Sequence, residues 1–117
     1  MRAVLRHVIL SPDPRTLPAD PATFMFGAQL LVGPADSAGE ESFGLTICSP
    51  EWLAEQCGSG QPVNGLHHVI VGWETYDERE LRRWFEAVVH AVEAETWSGI
   101  VGQLRFLGGW EFDDYQD

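Results

Sequence analysis

The side chains best equipped for chemistry are four histidines (His7, His67, His68 and His90), two cysteines (Cys48 and Cys57) and a set of paired carboxylates. On a strand, His67 and His68 point to opposite faces, so one site cannot hold both by simple geometry. On a helix, His90 stands near Glu86 at i−4 and Glu93 at i+3, which predicts a surface ion pair. Cys48 has no nucleophile elbow, activating neighbour or oxyanion loop around it and reads as a buried structural thiol. The two cysteines lie nine positions apart, and a metal centre would need more ligands at tighter spacing. The carboxylate pairs are Glu40-Glu41, Glu51 with Glu55, Asp77-Glu78 and Asp113-Asp114. Glycosidase-type catalysis needs two carboxylates in a sugar-binding cleft; in a chain this acidic a solvated face accounts for them. Neither GxGxxG nor GxxxxGK[ST] occurs, so no phosphate-cradling loop is predicted. The expectation is therefore no catalytic residues, no metal and no cofactor.

The charge balance excludes more. There are 18 Asp plus Glu against 7 Arg and no Lys, a formal net charge of −11. Such a surface repels phosphates and disfavours direct nucleic-acid binding, while it attracts and steers basic partners. Length and composition suit one globular domain over 1–117, with 44% hydrophobic and 21% charged residues in 117. No apolar run approaches a membrane span. The first ten residues lack the apolar core and cleavage site of a secretory leader. The expected setting is cytoplasmic, with reduced thiols.

The elements that must position these groups follow from periodicity. Arg2–Leu10 is rich in Val, Leu and Ile and reads as a strand. Phe24, Phe26, Ala28, Leu30 and Val32 alternate with Met25, Gly27, Gln29 and Leu31, a strand with one face on a core. Gly33-Pro34 is expected to stop it. Phe43, Leu45 and Ile47 resume the alternation to Cys48, so the two runs form an antiparallel hairpin. Ser49 and Pro50 cap a short helix expected to end at Gly58 in a left-handed cap. Leu66–Trp73 is a nearly unbroken apolar run and predicts an interior strand buried on both faces. Asp77 and Glu80 make a capping box. Behind it Leu81, Trp84, Phe85, Val88, Val89 and Val92 form the stripe of a helix reaching about Glu95. Thr96 caps a last helix with Trp97, Ile100, Val101 and Leu104 on one side, ended by Gly108-Gly109. Ser11–Pro21, with four prolines, is a loop, and Trp110–Asp117 is an aromatic, acidic tail. The predicted fold is α+β: a mostly antiparallel four-stranded sheet, the two C-terminal helices on one face, and a short helix between strands 3 and 4.

Five tryptophans are unusual in a chain of this length. Trp84 and Trp97 fit helix core stripes. Trp52, Trp73 and Trp110 fall near element ends, each beside a glutamate: Glu51, Glu74 and Glu111. A tryptophan beside a carboxylate at an edge suits anchoring of a basic partner.

Several of these segments together resemble the immunity protein 8 family. They are Leu31-Val32-Gly33-Pro34, Gly39-Glu40-Glu41-Ser42-Phe43, Cys48-Ser49-Pro50-Glu51-Trp52-Leu53, and Trp97 followed by Leu104 and Trp110-Glu111-Phe112. The resemblance runs from about Phe24 to Tyr115. Ser49 stands where the family more usually has Thr, which keeps the helix cap. The resemblance implies a bacterial protein that neutralises a toxin encoded beside it, with no catalytic residues.

A small acidic domain suits an inhibitor of a basic toxin domain, a nuclease among the candidates, because it can steer into a cleft built for phosphate. The expected contacts are two acidic groups. One is Glu40 and Glu41 with the helix acids Glu51 and Glu55; the other is Glu111, Asp113 and Asp114 with the Trp110 ring. The competing class is a small metabolic enzyme or ligand-binding domain using a pocket over the sheet. A third is a structural subunit whose acidity serves solubility alone.

Overall fold

A computed structural model describes residues 1–11 and 22–112. The chain order is β1 (Ala3–Ser11), β2 (Met25–Pro34), β3 (Glu41–Cys48), α1 (Pro50–Cys57), β4 (His68–Ile70), α2 (Glu78–His90), α3 (Trp97–Leu104) and β5 (Gly109–Trp110). The fold is α+β around one mixed sheet of spatial order β1-β2-β3-β4, with β5 also on β3. The proline-rich stretch expected as a loop falls at 12–21, outside the described residues, as do Asp113 and Asp114.

The hairpin forms as its alternation requires. Phe26 pairs with Ile47, Ala28 with Leu45 and Leu30 with Phe43, and all six are buried. These side chains share one face because the side-chain period of a strand is two. α2 adds Leu81, Phe85 and Val89, and α3 adds Ile100, Val101 and Leu104, to the same core.

β1 reaches that core only by a register shift. Leu5 pairs with Val32 and His7 with Leu31, so Arg6 is an extra residue in the ladder. A bulge of one residue exchanges the faces beyond it. Ala3 and Leu5 before it, and Val8 and Leu10 after it, therefore all pack on the core. The bulged Arg6 turns its guanidinium onto the β2–β3 loop. It donates to Pro34 O at 2.7 Å, Ser37 O at 2.8 Å and Gly39 O at 3.2 Å.

Several elements differ from the sequence expectation. β2 runs through Gly33-Pro34 instead of stopping there. Ala35 N donates to Arg2 O at 3.0 Å, so by alternation Pro34 turns its nitrogen away from β1, to the side where β3 has ended and no donor is needed. The apolar run Leu66–Trp73 yields only the three residues of β4, an edge strand parallel to β3. It is not interior. α2 ends at His90, short of Glu95, because the chain beyond it joins the N-terminus: Met1 N donates to Ala94 O at 2.8 Å and Ala94 N to Met1 O at 3.2 Å. Trp84, assigned to the core stripe, is largely exposed. α3 ends at Leu104, ahead of Gly108-Gly109, and the expected tail begins as strand β5.

The helix N-caps follow the sequence, but Gly58 ends α1 in the right-handed region, at φ −66°, and not in the expected left-handed cap. Asp77 accepts from Arg79 N at 2.8 Å and Glu80 N at 3.3 Å. Glu80 does not complete the box; it pairs with Arg83 at 2.8 Å. Thr96 Oγ1 accepts from Gly99 N. Ser49 does more than cap. Its fully buried Oγ accepts from Trp52 N at 3.2 Å and from Phe24 N at 3.1 Å, tying the start of β2 to α1. A cap alone is worth about 1 kcal/mol. With one buried and one partly buried donor left unpaired, Ser49→Ala is expected to cost about 2 kcal/mol in urea unfolding. A loss indistinguishable from zero would mean that neither bond contributes.

Candidate partner-binding surface

β3 is the element that organises the candidate surface. One of its edges pairs with β2 along its length; the other pairs with β5 at Phe43 and Gly44 and with β4 at Thr46–Cys48. The sequence treated Glu40-Glu41 and the Trp110-Glu111 tail as separate groups. Pairing of β5 with β3 brings them together. Trp110 Nε1 donates to Glu41 Oε2 at 2.5 Å. Glu111 N donates to Ser42 O at 3.0 Å, and Ser42 N donates to Glu111 Oε1 at 3.3 Å. The Trp110 ring is further held by Phe112, edge-on at 5.1 Å, and by the Arg105 guanidinium 5.8 Å from its centroid. Trp110 is therefore half-buried and fixed in orientation, with Glu41 held beside it.

Glu51 and Glu55 do not join this corner. They are exposed on α1, which begins where β3 ends, so the rest of the strand after Glu41 separates them from it; that is roughly 23 Å at the rise of a strand. Glu40, Glu51 and Glu55 pair with no cation among the described residues. Asp113 and Asp114 lie outside the described residues.

Beside the corner a hollow of about 590 Å³ opens over Gln29, Ser42, Gly44, His67, Gly109, Trp110 and Glu111. Its floor is the face of the sheet opposite the core. Gln29 stands against Gly44 there, and Gly27 against Thr46. A Cβ on Gly44 would meet nothing within 4 Å, so the missing side chain leaves the floor low. Gln29 Nε2 donates to Ser42 Oγ at 2.5 Å across the strands.

Three of the four histidines have structural partners. His67 sits before β4 with a φ of 63° and its Nε2 lies 2.7 Å from Arg105 O. His68 stacks on Trp52 at 6.4 Å. His90 does not form the surface ion pair expected of it. Its Nε2 accepts from Leu5 N at 3.2 Å, capping the outer edge of β1. Burial pushes the Cys48 thiol up from its ordinary value, which lowers its thiolate fraction and its nucleophilicity. No group of three or more His, Cys, Asp or Glu among the described residues could hold a metal. The core face of the sheet is filled by Phe85, Val89, Ile100 and Leu104, so a pocket over the sheet, the alternative reading, would have to use the hollow on the opposite face.

A second exposed feature was only partly legible in the sequence, which marked Trp73 as an edge anchor. Ile70, Trp73 and Trp84 on α2 are all exposed. The signal was available: the tryptophan at position 84 flanks the helix stripe instead of centring it, two of its nearest stripe neighbours being Leu81 and Phe85. No helix among the described residues is long and apolar enough to cross a membrane.

A family model described as Immunity protein 8 matches residues 9–115. Neither a curated protein nor a solved structure gives a significant match.

Proposed function

The chain belongs to the immunity protein 8 family, and from that premise we propose that it neutralises a cognate bacterial toxin domain by stoichiometric, non-covalent binding. Family membership over nearly the whole chain carries this reading. Its inhibition is by occupancy, not by chemistry on the toxin. The acidic balance of −11 supplies a field that steers a basic partner, a nuclease cleft being the type it would suit. In this reading Glu40, Glu41 and Glu111, with Asp113 and Asp114 following in the chain, form the leading contact around the Trp110 ring. Glu51 and Glu55 contribute from the far end of β3. Supporting it is the orientation of Trp110 by Glu41, which presents charge and an aromatic anchor together, as hot spots do.

The direct test is co-expression with the toxin domain encoded beside this chain's gene. Growth arrest by the toxin alone, relieved by this chain, is the expected outcome; unrelieved arrest overturns the reading. Steering is tested on the purified pair. Association should slow several-fold between low and physiological salt, since exposed charges are screened beyond about 8–10 Å. Glu40→Lys should slow it further, by about threefold, at an unchanged melting temperature. Glu40 is the choice over Glu41 because Glu41 also holds Trp110. A rate indifferent both to salt and to Glu40→Lys would exclude acidic steering at this corner.

A further inference from the structure

The segment from Leu66 to Trp73 has the composition of an interior strand and the position of an edge. Parallel strands are ordinarily covered on both faces and both sides, yet β4 pairs only with β3 among the described residues. Leu66 is 53% exposed, Ile70 51% and Trp73 40%, and Trp84 on the adjoining helix is 47% exposed. Three of these lie on the segment itself and the fourth on α2, and Ile70 and Trp84 line one groove beside the strand; exposed apolar side chains at such a groove mark an interaction site.

The backbone supports the same reading. β3 takes its bonds from the odd residues of this segment: Thr46 N donates to His67 O and Val71 N donates to Cys48 O, each at 2.9 Å. In a parallel ladder the alternate residues, His68 and Ile70, then turn their N–H and C=O groups to the outer edge. Directly beside that edge lies a groove of about 420 Å³. Val69 and Val71 form one wall, Leu81 and Trp84 the other, and both charged residues lining it, Asp77 and Glu80, are acidic.

We infer that the outer edge of β4 receives an extended, basic segment of the toxin as an added strand, with an arginine side chain of that segment in the groove. The inference rests on the immunity reading and names how the partner is held. Main-chain bonds to His68 and Ile70 provide the register, as in other strand additions. On the core side, an arginine stem covers Val69 and Val71 while its guanidinium stacks on Trp84 and meets Asp77 and Glu80. Glu80 already holds Arg83, but that pair is exposed on both sides and is readily exchanged. On the opposite face an apolar residue covers Ile70. A second copy of this chain fits less well. Pairing two β4 edges would set the Asp77 and Glu80 of each copy against those of the other, on two bodies of charge −11. The acidic corner lies along the same edge of β3, so steering and anchoring act on one side of the molecule.

The test uses the full chain and the toxin domain encoded beside its gene. Hydrogen exchange should show the His68 and Ile70 amides open in the free protein and protected in the complex. Ile70→Pro removes an outward N–H without removing a bond to β3, a position where edge strands accept proline. Trp84→Ala truncates an exposed side chain. Each should weaken toxin binding about tenfold or more, while the melting temperature of Trp84→Ala stays near that of the wild type. Wild-type affinity for Trp84→Ala together with unprotected edge amides overturns the strand addition and leaves the immunity reading standing. A toxin that does not bind the wild-type chain overturns both. Protection of the same amides by self-association in sedimentation, without toxin, would assign the edge to a second copy and overturn the inference.

Discussion

Replacing Phe85 by alanine should lower the unfolding free energy by about 3–5 kcal/mol, the range for an aromatic ring deleted from a packed core. Phe85 is fully buried at the middle of the α2 stripe, between Leu81 and Val89. The core it fills is shared by β2, β3 and α3, so no single element can shift to close the space. At this size each 1 kcal/mol moves the midpoint by roughly 3–6 °C; the expected drop is therefore more than 10 °C in thermal unfolding. Its neighbour provides the contrast. Trp84 touches Phe85 edge-on at 5.4 Å but is 47% exposed, and its truncation should move the midpoint far less. Equal losses at the two positions would mean that the core face of α2 is misassigned.

The second large effect is expected at Gly33. A Cβ there would stand 2.2 Å from Arg6 Nε and 2.2 Å from Gly39 O. The first is the end of a side chain, but the second is backbone and cannot rotate away. Gly33→Ala must therefore displace Arg6 from the carbonyls of Pro34, Ser37 and Gly39 or open the loop that they hold. Overpacking of this kind costs 1–3 kcal/mol, and bonds from a charged donor to three carbonyls are lost with it; a total of about 3 kcal/mol is expected in urea unfolding. Because that loop leads directly into Glu40, the variant should also slow association with the toxin at concentrations where it remains folded. Arg6→Ala removes the contact with Arg6 and frees the loop that carries Gly39 O, so it should restore part of the stability of Gly33→Ala; two losses that simply add would exclude the contact with Arg6 as the cause.

What the sequence determined by itself is local. Ser49, Asp77 and Thr96 begin the three helices because each places an oxygen within reach of the next free amides. The alternation of Phe26–Val32 with Phe43–Ile47 defined the hairpin and its buried face, since a slip of one residue would turn the apolar set to solvent. Family membership was equally legible, from motifs along the chain. What surrounds each element was not. Periodicity reports which side chains are apolar, not which of them find a cover, so Leu66–Trp73 read as interior and Trp84 as core. The bulge at Arg6 follows from how β1 meets β2, a match that neither strand encodes alone. The junction of Glu41 with Trp110 joins residues 69 positions apart, and β5 is too short to announce itself by pattern. Only the assembled sheet, which pairs β5 with β3, decided that Glu41 and Trp110-Glu111 share a corner and that β4 is left with an open side.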